Sequence, residues 1–289
     1  MVRLLFTALA ALALTPIVAA AQARQLAPAS EWSLHETDEY CRISRSFGSG
    51  SHEVTMYFYS YGPTGSYQVI LVGPNLPRND AKARVAMLAW GGSDDTERTM
   101  VINSRLGDNG SLTFRTYGNR PVMRFGRAWS AEWDDRYDLP FDSRATQLTI
   151  GTGELDPITL QLGDMAAPLR QLADCELGLL PGWGFSADDY LGLQGQPSLL
   201  NGQDVVEIIR WPAAVLLNRN SMFLQLRMTV DPEGRAQDCV VQSPALQSSD
   251  QRAICREFTR SARFTPATDA EGNAVAAPFR ASNMMFVFD

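Results

Sequence analysis

Apolar and polar residues follow the period of a strand through the middle of the chain. Residues 54–61 alternate and are rich in aromatic and branched side chains, Gly62-Pro63-Thr64-Gly65 supplies a turn, and residues 67–72 form a second apolar run. Together they predict a hairpin with a loop longer than the two-residue type. Further short strands are expected at 83–90, 99–103, 111–116, 146–150 and 158–162, with turn signals at Gly91-Gly92-Ser93 and Gly107-Asp108-Asn109-Gly110 between some of them. That spacing predicts an antiparallel sandwich or barrel. The period then lengthens: Leu169, Leu172, Ala173, Leu177 and Leu180 recur as on a helix, with Asp164 placed to cap it and Pro168 suited to its first turn.

Residues 185–203, with Asp188-Asp189, Gly192, Gly195-Gln196-Pro197 and Gly202, read as a linker. Beyond it, Leu224, Leu226, Met228 and Val230 alternate with Gln225, Arg227 and Thr229, predicting a half-buried strand with one apolar face. Asp231-Pro232-Glu233-Gly234 has the residue preferences of a type I turn. The return strand is expected at 236–242, with Cys239, Gln237 and Val241 on one face. Ser248-Ser249-Asp250-Gln251 has capping-box spacing and opens a helix in which Ile254, Cys255 and Phe258 share a flank. A turn around Glu271-Gly272-Asn273 leads to a last strand at 278–288. The fold class is therefore α+β: a β-rich domain at 24–184 ending in one helix, a linker at 185–203, and a small ββαβ domain at 204–289.

The first residues change where this domain pair is expected to work. Arg3, an apolar run over residues 4–20 and the small-x-small site Ala21-Gln22-Ala23 predict a secretory signal peptide over residues 1–23 and delivery to the periplasm, with no stable membrane insertion once it is cut. The alternative is an apolar segment retained as an anchor. Four cysteines in an exported chain favour disulfides. Of the three possible pairings, spacing favours Cys41 with Cys175, which would staple the helix to an early strand, and Cys239 with Cys255. A formal charge of −7 with Lys82 as the one lysine offers no electrostatic footprint for nucleic acid or anionic lipid.

The ordered set from Trp211-Pro212, through the turn with Asp231 and Gly234, to Arg263-Phe264-Thr265-Pro266-Ala267 and the closing strand resembles the C-terminal domain family of TonB over residues 204–289. In that family the module binds envelope proteins, and its last strand accepts an extended peptide by strand addition. The resemblance implies a protein-binding edge at Asn283, Met284, Met285, Phe286 and Val287, and an envelope or outer-membrane partner. A cleaved signal and a folded domain replace the anchor and long spacer of an energy transducer, so the expected role is a soluble periplasmic binding protein. A retained anchor would restore the reading as a transducer component in transport.

Catalytic chemistry has a weaker signature. His35 and His52 are the only histidines; neither lies in a zinc-protease helix, and the chain has no Gly-x-Ser-x-Gly elbow or phosphate loop. No catalytic residue, metal or cofactor is expected. The remaining candidate is the 129–142 segment, where Trp129, Trp133 and Tyr137 interleave with Asp134, Asp135, Asp138 and Asp142. Such a set could serve an envelope hydrolase or a glycan-binding protein, or hold a calcium ion, although it lacks an EF-hand spacing.

Overall fold

The computed structural model describes residues 23–63, 65–78, 81–91, 96–117, 145–209, 221–242 and 246–286. The signal segment, Trp211, Pro212, Val287 and the acidic and aromatic set at 129–142 lie outside the described residues.

Alternation builds the larger unit. Its strands are β1 (Arg24–Leu26), β2 (Ser33–Glu36), β3 (Cys41–Phe47), β4 (Val54–Ser60), β5 (Ser66–Gly73), β6 (Lys82–Trp90), β7 (Glu97–Leu106), β8 (Asn109–Tyr117), β9 (Gln147–Thr152) and β10 (Leu155–Gln161). They form one curled sheet in the order β1-β10-β9-β6-β7-β8-β5-β4-β3-β2. The sandwich expected as one alternative is not formed, because these strands share a single sheet. Curling achieves what a second sheet would: the inner residues Ile43, Met56, Phe58, Leu71, Leu112 and Phe114 pack against one another in the same core. The turn Gly107-Asp108 joins β7 to β8 with Leu106 opposite Asn109, and Gly107 takes the positive φ of 61° that such a tight turn favours.

The two sheet ends approach each other near the start of the chain. β1 pairs in parallel with β10, while just beyond it the Ala29 N–H donates to the Ser46 carbonyl (2.8 Å) and the Gly48 N–H to the Ala27 carbonyl (2.8 Å). The result is a half-barrel whose first strands bridge its ends. The early strand expected at Cys41 is β3; alternation did not give its bounds, nor β1 and β2, since β2 is exposed along most of its length and β3 mixes arginine and serine with its apolar positions.

Helix α1 (Ala166–Gly178) follows. The Asp164 side chain accepts from the Ala166 N–H (2.8 Å), satisfying one of the free donors of the first turn. Leu172, Cys175 and the following Leu179 enter the half-barrel core, and the Cys41–Cys175 disulfide ties α1 to β3.

The stretch read as a linker is structured at both ends. It contains α2 (Ala187–Gly192), capped by Ser186, and β11 (Ser198–Leu199); α3 (Gly202–Ile208) begins at its end. The smaller unit continues with β12 (Met222–Val230), β13 (Ala236–Val241), α4 (Ser248–Ser261), β14 (Phe264–Thr265), β15 (Ala267–Thr268), β16 (Ala274–Val275) and β17 (Ala277–Phe286). β11 pairs with β14 and Leu199 joins the small core, so these linker residues are part of that packing. The main sheet has the order β13-β12-β17. Ile254 and Phe258 of α4 lie on it, and Cys239 of β13 bonds to Cys255 of α4. The capping box is not made: Gln247 takes the cap position without a side-chain bond, and Gln251 donates instead to the Leu246 carbonyl (2.8 Å).

β12 also departs from its reading as a strand with one wet face. Gln225 is only 1% exposed, because the larger unit covers the face opposite α4.

The two disulfides restrict the unfolded chain unequally, since one spans 134 residues and the other 16. Replacing Cys41 and Cys175 by alanine should cost up to roughly 5 kcal/mol in urea unfolding, against ~3 kcal/mol for Cys239 and Cys255, on the chain-entropy model.

Candidate interaction edge and the seam behind it

The hairpin turn between β12 and β13 is organised by one carboxylate. The Asp231 carboxylate accepts from the N–H groups of Glu233 (3.1 Å) and Arg235 (2.8 Å), from the Arg235 guanidinium (3.0 Å) and from the Gln237 amide (2.9 Å). The Arg235 backbone N–H, helped by its guanidinium and by Gln237, holds this carboxyl below the usual carboxylate range. Gly234 has φ of 75°, and its carbonyl accepts from the Phe264 N–H (2.9 Å); a Cβ there would strike the Phe264 carbonyl. Phe264 packs edge-on to Phe279 of β17, with ring centroids 4.7 Å apart.

The Arg263 side chain donates to the carbonyls of Arg260 (3.2 Å) and Ala262 (2.7 Å), serving the acceptors left open at the end of α4. Ala267 is buried and pairs with Val275, while Pro266 precedes it at the junction of two short strands. Asp231, Gly234, Arg263, Phe264, Pro266 and Ala267 thus form a structural clasp between turn, helix end and last strand. Their contacts fix where the turn and the end of α4 stand beside β17.

That edge is β17. Met284, Met285 and Phe286 stand opposite Leu224, Phe223 and Met222, and Asn283 falls in the irregularity between Met284 and Ala281. β17 has β12 on one side and no strand partner on the other among the described residues.

Behind it, the three-stranded sheet meets the larger unit along a polar seam at Gln68 of β5, Tyr61 just past β4 and Glu39 in the β2–β3 turn. Gln225 donates to the Gln68 side-chain oxygen (3.1 Å), which also accepts from the Tyr61 hydroxyl (3.3 Å). Burial pushes the Tyr61 hydroxyl pKa well up, and the neighbouring Tyr59 and Tyr40 add to the effect, so it stays a neutral donor. The Arg280 guanidinium donates to the Tyr61 carbonyl. Gly62 has no side chain to obstruct this contact; a Cβ would collide with Arg280 and Trp183. Arg227 forms a two-bond pair with Glu39 (2.8 Å each), and Gln242 donates to the Glu39 carbonyl (2.9 Å). The guanidiniums of Arg227 and Arg280 lie 5.1 and 5.6 Å from the Trp183 ring centroid. None of Glu39, Gln68, Gln225 or Trp183 was singled out from the sequence as a site residue. Each is an unremarkable polar or aromatic position until the two units are brought together.

The histidines are separated. His35 is exposed on β2 beside Tyr40, whereas the Nδ1 of His52 lies within hydrogen-bond reach of Arg24 (2.8 Å) and Asn75 (3.3 Å). Among the described residues no group of three metal-ligating side chains converges, and no helix is long and apolar enough to cross a membrane.

No family model, curated protein or solved structure matches the chain. The geometry of the edge and the seam therefore carries the functional reading.

Arg227→Ala should destabilise the protein by about 1–2 kcal/mol in chemical unfolding, because it leaves a half-buried Glu39 carboxylate without its charged donor. Asp231→Asn should lower the thermal midpoint at neutral pH. Since folding lowers the Asp231 pKa, its contribution is present above the ordinary aspartate range and is lost as acid protonates the folded carboxyl. The gap between Asp231→Asn and the parent should close in melts run at progressively lower pH.

Proposed function

We propose that the chain is a periplasmic protein-interaction protein whose C-terminal unit receives an extended segment of an envelope partner along β17. The observation that carries this reading is the position of β17, paired with β12 alone among the described residues. A strand edge presents N–H and C=O groups at regular intervals, and an extended peptide satisfies them by continuing the ladder. The ββαβ order and the turn clasp around Asp231, Gly234 and Phe264 support likeness to the TonB C-terminal module. Two disulfides suit an oxidising compartment outside the cytoplasm.

On this reading the larger unit gives β12 a fixed platform. The contacts of Gln225, Arg227 and Arg280 hold the sheet from behind, so an incoming segment meets a preformed edge and little ordering of the protein is needed.

Photocrosslinking side chains placed singly at Asn283, Met285 and Val287 of the full oxidised chain should form adducts with the same envelope protein. A short extended peptide from the crosslinked region of that partner should compete. Adducts that resist this competitor, or no adducts at these positions, would remove the strand-addition reading.

A further inference from the structure

Another strand edge, at β2 in the larger unit, lies beside a groove. β2 ends the ten-stranded sheet and pairs only with β3 among the described residues. The groove, about 560 Å3 in volume, runs between β2 and α1. Trp32, Leu34 and Glu36 line one wall at the two-residue spacing of a single strand face. Gln171, Asp174 and Gly178 contribute from α1, and the buried Cys175 of the disulfide to β3 lies among the lining residues.

The register shows which backbone groups face outward. The Thr37 N–H donates to the Tyr40 carbonyl (3.0 Å), so the hydrogen-bonded pairs alternate back along the ladder as Thr37 with Tyr40, His35 with Arg42 and Ser33 with Ser44. Leu34 and Glu36 fall between them and direct their N–H and C=O groups away from β3. The same two residues line the groove. Outward-facing groups on alternate residues recur at about 7 Å, a repeat that an extended polypeptide matches.

Charge selects the kind of segment. The lining has two carboxylates, Glu36 and Asp174, and no basic side chain. Both are exposed, and neither forms an ion pair among the described residues. We propose that the groove between β2 and α1 binds an extended segment of a partner protein bearing arginine or lysine, which adds to β2 and places its cation beside Glu36 and Asp174. This inference concerns a different edge from β17 and does not depend on it.

Gly178 permits a direct test. A Cβ built there meets nothing within 4 Å, and its backbone needs no positive φ, so Gly178→Trp fills the groove without displacing α1. The probe is a fluorescein-labelled hexapeptide alternating valine and threonine with one central arginine, titrated by anisotropy into the full oxidised protein; its counterpart carries glutamate in place of arginine. The arginine peptide should bind about tenfold more tightly than the glutamate peptide, the scale expected of two exposed ion pairs. Gly178→Trp should abolish saturable binding. The double substitution Glu36→Arg with Asp174→Arg, at exposed positions that leave the core intact, should reverse the preference and provides an independent reading if the tryptophan variant fails to fold. Equal affinity for both peptides, binding unchanged in the charge-reversed variant, or no binding at millimolar peptide overturns the proposal. A concentration-dependent dimer that Gly178→Trp dissolves would assign the groove to a second copy of the chain and also overturn it.

Discussion

β12 is covered on both sides. Leu224, Leu226, Met228 and Val230 lie in the small core with α4, while Gln225 and Arg227 turn toward the larger unit. A polar side chain buried without a partner costs on the order of 1–3 kcal/mol, so this second burial is tolerable only if the donors and acceptors meet. They do so in sequence: Gln225 to Gln68, Tyr61 to Gln68, Arg280 to the Tyr61 carbonyl, and Arg227 to Glu39. Because these bonds have direction, they set the orientation of the small sheet against the large one. A purely apolar contact of similar area would specify that orientation less sharply.

Covalent and local constraints secure the two sides of the seam. The Cys41–Cys175 bridge holds α1 to β3, and the chain leaves α1 for Trp183, whose ring lies beside Arg227 and Arg280. Trp183 also donates to the Asp38 carbonyl, next to the Glu39 that receives Arg227. In the small unit, the Asp231 turn docks on Phe264, and Phe264 packs against Phe279 of β17. Removing any one of these contacts loosens a position that others also define, so their effects on stability should couple rather than add.

The two strand edges have different surroundings. β17 continues a sheet whose opposite edge is β13 and whose rear face is held by the seam. β2 closes a curled sheet and borders a groove shared with a helix. An edge beside a groove can read side chains as well as backbone, since alternate residues of an added strand point into it. The acidic lining at Glu36 and Asp174 is the feature that discriminates among otherwise similar extended segments.

Strand periodicity located β4 to β10, with ends shifted by a few residues, and helical periodicity located α1 and α4; the cysteine spacing anticipated both disulfides. Those features depend on neighbours in sequence or on a small number of possible pairings, so local pattern suffices. Pattern missed β1 and β2 and gave β3 only as an early strand at Cys41 without bounds, since apolar positions there are diluted by arginine, serine and exposed residues, and it read β11 as linker because its partner β14 lies more than sixty residues away. The single curled sheet, the burial of Gln225 and the pairing of Arg227 with Glu39 were decided only by tertiary structure. A glutamine or arginine on a strand looks solvent-facing until a second surface covers it, and which surface does so depends on how distant segments pack together.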